Sequence, residues 1–187
     1  MVGEVGARQK KKLFKKVTSK IFRQFLDILY PKNCLHCCKI IEEEKFFCNN
    51  CLSFFSLARV DPFSKYCYLF ENEGPAISFF REVKNTKLLS LLKVGASYVF
   101  LQKSNMNWDK IDVITTLDFN FLKKDYKYFL SKEVSKMLKI KFCANPKHFE
   151  NILVIDDLID EEKYRKYFDK FELKKIYVIA FLGRRLR

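Results

Sequence analysis

Four cysteines in two Cys-x-x-Cys pairs are the residues whose types and spacing indicate chemistry most directly. Cys34 and Cys37 form one pair, Cys48 and Cys51 the other, and ten residues separate the pairs. Zn²⁺ takes four thiolates at the corners of a closed tetrahedron, and each pair supplies two neighbouring corners. The pattern therefore predicts a structural zinc site in which metal binding and folding are one event.

Two alternatives to this ligand set arise from the same segment. Cys38 and His36 are close enough in sequence to replace one of the four thiolates. The cysteines could also be plain buried thiols or disulfides. No secretory signal is recognisable at the N-terminus, however, and paired cysteines in an intracellular chain favour a metal.

A second candidate site is a pair of acids after an apolar run. Residues 152–155 are Ile-Leu-Val-Ile, which is typical of a buried strand, and Asp156 and Asp157 follow. Ligands of parallel sheets bind at the carboxyl ends of strands. We therefore expect the two carboxylates at such an end, where they could hold ribose hydroxyls or a Mg²⁺ ion that bridges a diphosphate.

The apolar pattern predicts an α/β fold around this acid pair. Strands are expected at 66–70, 111–116, 152–155 and 176–182, and helices at 75–88, 88–100, 124–139 and 161–171. Buried strands that alternate with helices imply a parallel sheet with right-handed crossovers. In the helix at 124–139, Phe129, Val134 and Leu138 are expected to face inward.

The predicted order is a basic arm and amphipathic helix at 1–30, a small zinc ribbon at 31–60 and the α/β domain at 61–187. Lys and Arg outnumber Asp and Glu by 36 to 22, so the formal net charge is +14. This excess favours nucleic acid or an anionic membrane surface as partner, or serves solubility alone. No apolar run reaches the roughly 20 residues of a membrane-spanning helix. We expect a cytoplasmic protein, with peripheral contact at the inner membrane face as an alternative.

Several of these segments resemble one known family. Phe25-Leu-Asp-Ile-Leu-Tyr-Pro-Lys-Asn-Cys34-Leu-His-Cys37 followed by Cys48-Asn-Asn-Cys51 resembles the N-terminus of the ComF competence family. Gly74-Pro75 with Lys84, and the strand that ends in Asp156-Asp157, follow in that family's order and spacing. The resemblance implies a zinc ribbon joined to a type I phosphoribosyltransferase-like domain with a cytoplasmic role in uptake of single-stranded DNA. It also implies phosphoribosyl diphosphate and Mg²⁺ as ligands at Asp156 and Asp157.

Departures from the family pattern indicate that catalysis is lost. The family's Thr-Thr-Gly phosphate cradle is replaced by Asp160-Glu161-Glu162. Like charges about 4 Å apart repel by roughly 4 kcal/mol at an effective dielectric near 20, so three acids oppose phosphate binding. We interpret Asp160 as the cap of the next helix, with the two glutamates at its positive end.

Two further segments also lack the family's catalytic features. Residues 140–150 are too few for the family's mobile catalytic loop, and residues 114–119 lack the prolines and glycine of its diphosphate loop. The family's Asn-Gln pair corresponds here to Leu130-Ser131. A thiol nucleophile formed by Cys143 and His148 is a remaining catalytic alternative, which needs hydrogen-bond reach and an orienting group.

Binding is therefore the expected activity. Aromatic residues alternate with cations in two predicted helices, and a basic tail follows at residues 184–187. Rings beside cations are what single-stranded nucleic acid uses for base stacking and phosphate contacts. The residues are Tyr126, Tyr128, Tyr164, Tyr167 and Phe168 with Lys124, Lys127, Lys163, Arg165, Lys166, Arg184, Arg185 and Arg187. At helical spacing, half of these rings are expected to be core residues. We expect single-stranded DNA as partner, with a DNA-translocation protein second. An active phosphoribosyltransferase and a zinc-stabilised protein adaptor are the alternatives.

Overall fold

The computed structural model describes residues 33–41, 46–117, 124–159, 162, 164, 166 and 175–183. The chain divides into two compact units, Met1–Cys51 and Leu52–Arg187. The predicted basic arm and helix at 1–30 lie outside the described residues, and the predicted domain boundaries stay predictions.

The described part of the first unit is built on a tight turn. An antiparallel bridge joins Asn33 to Ile40, and the N–H of Cys34 donates to the carbonyl of Lys39 at 2.8 Å. Cys38 adopts a left-handed conformation with φ of 59°, and its N–H donates to the carbonyl of Cys34 at 3.0 Å. The short helix α1, Asn49–Leu52, follows Cys48 directly. Cys34 and Cys37 therefore lie in a tight turn, whereas Cys48 and Cys51 lie at the start of a short helix.

The second unit is a five-stranded parallel sheet with helices. In chain order its elements are β1 (Tyr66–Glu71), α2 (Gly74–Thr86), α3 (Leu89–Ser104), β2 (Val113–Thr115), α4 (Tyr126–Leu138), β3 (Lys141–Phe142), β4 (Asn151–Leu158) and β5 (Lys175–Gly183). The strand order is β1-β5-β4-β2-β3, and every pairing is parallel. The predicted α/β class is confirmed.

Local signals explain where the helices begin and end. Pro75 lies in the first turn of α2, where its missing N–H removes no helical hydrogen bond. Asp125 caps α4 by accepting from the N–H of Tyr128 at 3.1 Å. Lys87 and Lys139 follow α2 and α4 in the left-handed conformation, with φ of 52° and 56°. These ends deliver the chain to the next element without a long loop.

Both faces of the sheet are covered. On one face, Tyr164 packs in a cluster with Ile152 and Val154 of β4 and with Ile176 and Val178 of β5. Phe181 of β5 has the opposite parity and therefore faces the other side, where it contacts Phe79 of α2. A Cβ on Gly95 of α3 would lie 3.4 Å from Phe181 and 3.2 Å from Leu130 of α4. Close packing of three helices on this face thus uses the absence of a side chain at Gly95.

The structure differs from the sequence prediction at several described elements: β2 is confined to Val113–Thr115, and α3 runs on to Ser104. The two-residue strand β3 was not predicted, because it is too short to show a period and pairs only with β2. Strand β4 continues past the acid pair to Leu158. In α4 the buried apolar residues are Tyr126, Leu130 and Val134, so Phe129 and Leu138 are half-buried rather than inward. The inward face of α4 is thus rotated from the predicted one.

No helix in the part of the chain that the structure describes is long and apolar enough to cross a membrane. The longest described helix, α3, is 16 residues. It packs against α4 within the second unit.

Candidate metal centre and carboxylate site

The four predicted ligand cysteines come together in the first unit. Their sulfur atoms all lie within 4.8 Å of one another, and the Cys37 and Cys48 sulfurs are 3.6 Å apart. In a tetrahedron with Zn–S bonds of about 2.3 Å, neighbouring sulfurs are about 3.8 Å apart. The four thiols therefore fit a tetrahedral metal ion and could hold one.

Backbone amides prepare these thiols for a cation. Burial acts to raise the pKa of the Cys34 thiol, but N–H groups of Cys37, Cys48 and His36 hydrogen-bond to its sulfur and lower the pKa to about 6. Burial, with hydrogen bonds to the other three cysteines, raises the pKa of Cys51. The thiolate is the form that binds metal, and a divalent cation would relieve the repulsion between the sulfurs.

Cys38 and His36, the alternative ligands, lie outside this group of four. Both side chains are exposed, and the metal-compatible cluster found among the described residues contains neither. The left-handed backbone at Cys38 belongs to the turn that closes on the Cys34 carbonyl. Cys38 therefore has a role in the turn that requires no metal contact.

The acid pair lies in the second unit, where the sheet topology predicts a ligand crevice. From β2 the chain passes through α4 to β3 on one side, whereas from β4 it passes to β5 on the other side. In open α/β sheets a crevice forms at this reversal, outside the carboxyl ends of the two strands. Asp156 and Asp157 lie near that end of β4, and Thr115 and Thr116 lie at that end of β2.

Asp156 is engaged on several sides. Its side chain is 4% exposed and its Oδ1 accepts from the ammonium of Lys127 at 3.3 Å, with the Lys127 side chain 11% exposed. The same oxygen accepts from the N–H of Asp157 at 2.8 Å. Oδ2 lies 3.2 Å from the hydroxyl of Tyr164, which also donates to the carbonyl of Leu158 at 2.8 Å. Asp156 is thus held as an internal ion pair.

Asp157 pairs with a lysine from a different helix. Its Oδ2 lies 3.4 Å from the Nζ of Lys84, and the side chains are 25% and 52% exposed. The same ammonium lies 5.6 Å from the ring centroid of Phe80. Lys84 and Lys127 approach from α2 and α4, so the two carboxylates that the resemblance assigns to a ligand each contact an ammonium of this chain.

The corresponding phosphate and diphosphate segments are only partly described. Glu162 is exposed and pairs with Lys166 at 2.7 Å, whereas Asp160 and Glu161 lie outside the described residues. Thr115 and Ser131 are fully buried, and neither hydroxyl has a hydrogen-bond partner among the residues that the structure describes. Ser131, which the resemblance aligns with the family's Asn-Gln pair, is therefore buried in α4 and does not face the solvent.

Some of the predicted aromatic and cationic residues are buried or paired in the structure, and others keep a ring beside a cation. Tyr126 and Tyr164 are 3% and 0% exposed, so they belong to the half of the rings that helical spacing predicts to be core residues, and Lys127 is occupied by Asp156. Tyr128 retains the predicted character, since Lys132 and Lys124 lie 4.8 Å and 5.5 Å from its ring centroid. A hydrogen bond from Lys132 lowers the pKa of Tyr128. Tyr167, Phe168, Lys163, Arg165 and the basic tail lie outside the described residues.

Cys143 shows a contact other than the one a thiol nucleophile needs. Its thiol donates to the carbonyl of Asn145 at 3.3 Å, and the side chain packs against the cluster around Tyr164. His148 is exposed. The observed contacts of Cys143 are those of a packing residue.

Comparison with known proteins shows a distant likeness in fold. No family model matches the chain, and no curated protein matches it. Among solved structures, the chain is similar to adenine phosphoribosyl transferase from Trypanosoma brucei, solved with AMP, pyrophosphate and ribose-5-phosphate. That match has 10% identity and a TM-score of 0.38, and covers 68% of this chain and 87% of the other.

Proposed function

We propose that this chain is a ComF-like competence protein, an accessory to DNA uptake that binds single-stranded DNA or a DNA-translocation protein and transfers no phosphoribosyl group. The motif order from the cysteine pairs to Asp156-Asp157 supports the family assignment. The net charge of +14 supports a polyanionic partner. In this proposal the first unit binds one structural Zn²⁺ through Cys34, Cys37, Cys48 and Cys51.

The observation that carries the non-catalytic part is the pairing of both crevice acids with lysines. A carboxylate that holds Mg²⁺ or ribose hydroxyls must offer oxygen lone pairs to the ligand. Asp156 is nearly inaccessible and bound to Lys127, and Asp157 is bound to Lys84. Ligand binding at Asp156 would have to break a buried ion pair, and removing the partner of a buried charge costs about 3–5 kcal/mol. The more exposed Lys84–Asp157 pair adds about 0–1 kcal/mol.

Two titrations test the proposal. Calorimetry of the zinc-loaded chain with phosphoribosyl diphosphate and Mg²⁺ should give no saturable heat. Fluorescence anisotropy with labelled single-stranded DNA at two salt concentrations should show binding that weakens with salt. Saturable binding of phosphoribosyl diphosphate would return the assignment to an active phosphoribosyltransferase, and absence of DNA binding would leave the zinc-stabilised adaptor. Deletion of the gene should lower DNA uptake in the source cell.

A further inference from the structure

An open cavity of about 890 Å³ lies at the amino edge of the sheet, opposite the acid pair. It is formed where α3 and α4 end and where β2, β3 and β4 begin. Its lining includes an aromatic ring and five basic side chains: Phe100 and Lys103 of α3, Lys110, Lys139 and Lys141 beside the strands, and His148. The volume falls within the range of about 300–1,000 Å³ typical of ligand pockets. We call this site the amino-edge cavity.

Cations outnumber acids in the amino-edge cavity. Its four lysines have no carboxylate within ion-pair distance among the described residues. Of its two acids, Asp112 is already used to join β2 to β4: its Oδ2 accepts from the N–H of Asn151 at 2.9 Å and from the side-chain amide at 3.2 Å. Unpaired ammonium groups around a concave surface attract an anion and raise its local concentration.

An aromatic ring stands beside these cations. Phe100 is 40% exposed on the solvent-facing side of α3, and the half-buried Phe149 lines the same cavity. A solvent-facing aromatic ring next to phosphate-binding lysines is the combination that binds single-stranded nucleic acid, because every base has a face that can stack. A purely anionic ligand would have no use for the ring.

We propose that the amino-edge cavity binds a nucleotide unit, with its phosphate on the lysines and its base on Phe100. The unit comes from single-stranded DNA or from a free nucleotide, which share this chemistry. The inference rests on the proposed nucleic-acid binding and gives it a site. It also separates that site from Asp156 and Asp157, which lie at the opposite edge of the sheet.

The first test compares two charge reversals in one helix. Lys103→Glu changes a cavity residue, whereas Lys93→Glu changes an exposed lysine ten positions earlier in α3, about 15 Å away along the axis. In anisotropy titrations of the zinc-loaded chain with fluorescein-labelled oligo-dT of about 12 nucleotides, Lys103→Glu should weaken binding about tenfold. Lys93→Glu should change it by less than about twofold. The neutral Lys103→Gln, which is the milder change for folding, should weaken binding in the same direction.

The second test separates phosphate contacts from base stacking. Lys110→Gln with Lys141→Gln should reduce the slope of log K against log salt by about 1.4, since each lost contact to a single strand removes about 0.7. Phe100→Ala should weaken binding about fivefold or more without changing that slope. Phe63→Ala is the matched control, because Phe63 is 75% exposed and does not line the cavity.

Two further probes, thymidine monophosphate and poly-glutamate, distinguish a failure of the proposed site from a failure of the proposed function. Equal loss of oligo-dT binding in the Lys103 and Lys93 variants would overturn the amino-edge site and leave the proposed function standing. Binding of the mononucleotide but not of oligo-dT, lost in Lys103→Glu, would support the site and overturn the DNA-binding function. Competition by poly-glutamate as strong as by oligo-dT would overturn the nucleotide assignment. Binding of neither nucleic-acid probe by the unmodified chain would overturn both.

Discussion

The ammonium of Lys127 lies 3.3 Å from Oδ1 of Asp156, with both side chains largely removed from solvent. This ion pair joins α4 to the carboxyl end of β4, where the resemblance to the ComF family implies a ligand. A buried carboxylate that already pairs with a lysine of the same chain is poorly available to a substrate. The pair therefore bears on both stability and the proposed loss of catalysis.

Removing one partner of this pair should be strongly destabilising. Lys127→Met leaves Asp156 buried without its cation, and we expect the free energy of unfolding to fall by about 3–5 kcal/mol. Lys127→Met combined with Asp156→Asn should recover a large part of this loss, because no uncompensated charge remains. Urea denaturation of the two single variants and the double variant measures the coupling. Additive losses would show that the two residues do not interact.

The metal centre should depend on four particular cysteines. Cys34→Ser or Cys51→Ser should remove bound zinc, whereas Cys38→Ser and Cys67→Ser should keep one zinc per chain. Cys67 is the internal control, since it is fully buried in β1 and its burial raises its pKa. Metal analysis gives the stoichiometry, and X-ray absorption should show four sulfur neighbours at about 2.3 Å. A nitrogen neighbour, or loss of zinc in Cys38→Ser, would contradict this ligand set.

Replacing Ser131 with alanine should stabilise the folded protein. Its hydroxyl is buried without a hydrogen-bond partner among the described residues, and an unsatisfied buried polar group costs about 1–3 kcal/mol. Ser131→Ala should therefore raise the free energy of unfolding by about 1 kcal/mol. Ser97→Ala in α3 is the matched control: its exposed hydroxyl donates to the Lys93 carbonyl at 3.0 Å, and the gain in helix propensity is the same. An equal change in both variants would mean that Ser131 has a partner.

Asp109 should give the protein an acid-sensitive contribution to stability. A hydrogen bond from Lys175 at 2.7 Å, with a further one from Tyr177, lowers the pKa of Asp109 below its ordinary 3.8. A lowered folded-state pKa adds stability that is present above pH 3.8 and is lost as the pH falls through the folded pKa. Asp109→Asn should lower the melting temperature at neutral pH, and the difference from the unmodified chain should shrink in acid. Lys175→Gln should reduce the same acid dependence, because only the hydrogen bond from Tyr177 then remains. A constant difference at all pH values would contradict this origin.

The sequence alone determined the parts of this protein that depend on local pattern. Cysteine spacing predicted the four sulfurs that the structure brings together. Buried apolar runs between helical segments predicted the parallel sheet, because strands covered on both faces show no polar alternation. Pro75 likewise marks a helix start through local geometry, whereas β4 continues past the acid pair to Leu158. The two-residue β3 was missed because only its pairing with β2 defines it.

Tertiary structure decided which chemical role each side chain has. Periodicity indicates which face of a helix is apolar but not which residue lies beneath it. The sequence pattern therefore groups Lys127 and Tyr126 with candidate nucleic-acid residues, although Lys127 pairs with Asp156 and Tyr126 is buried. Lys84 reaches Asp157 from a helix 73 residues earlier in the chain. The amino-edge cavity joins four separate chain segments that only the tertiary fold brings together. Contacts between distant segments depend on how elements cross, and no local pattern encodes that geometry.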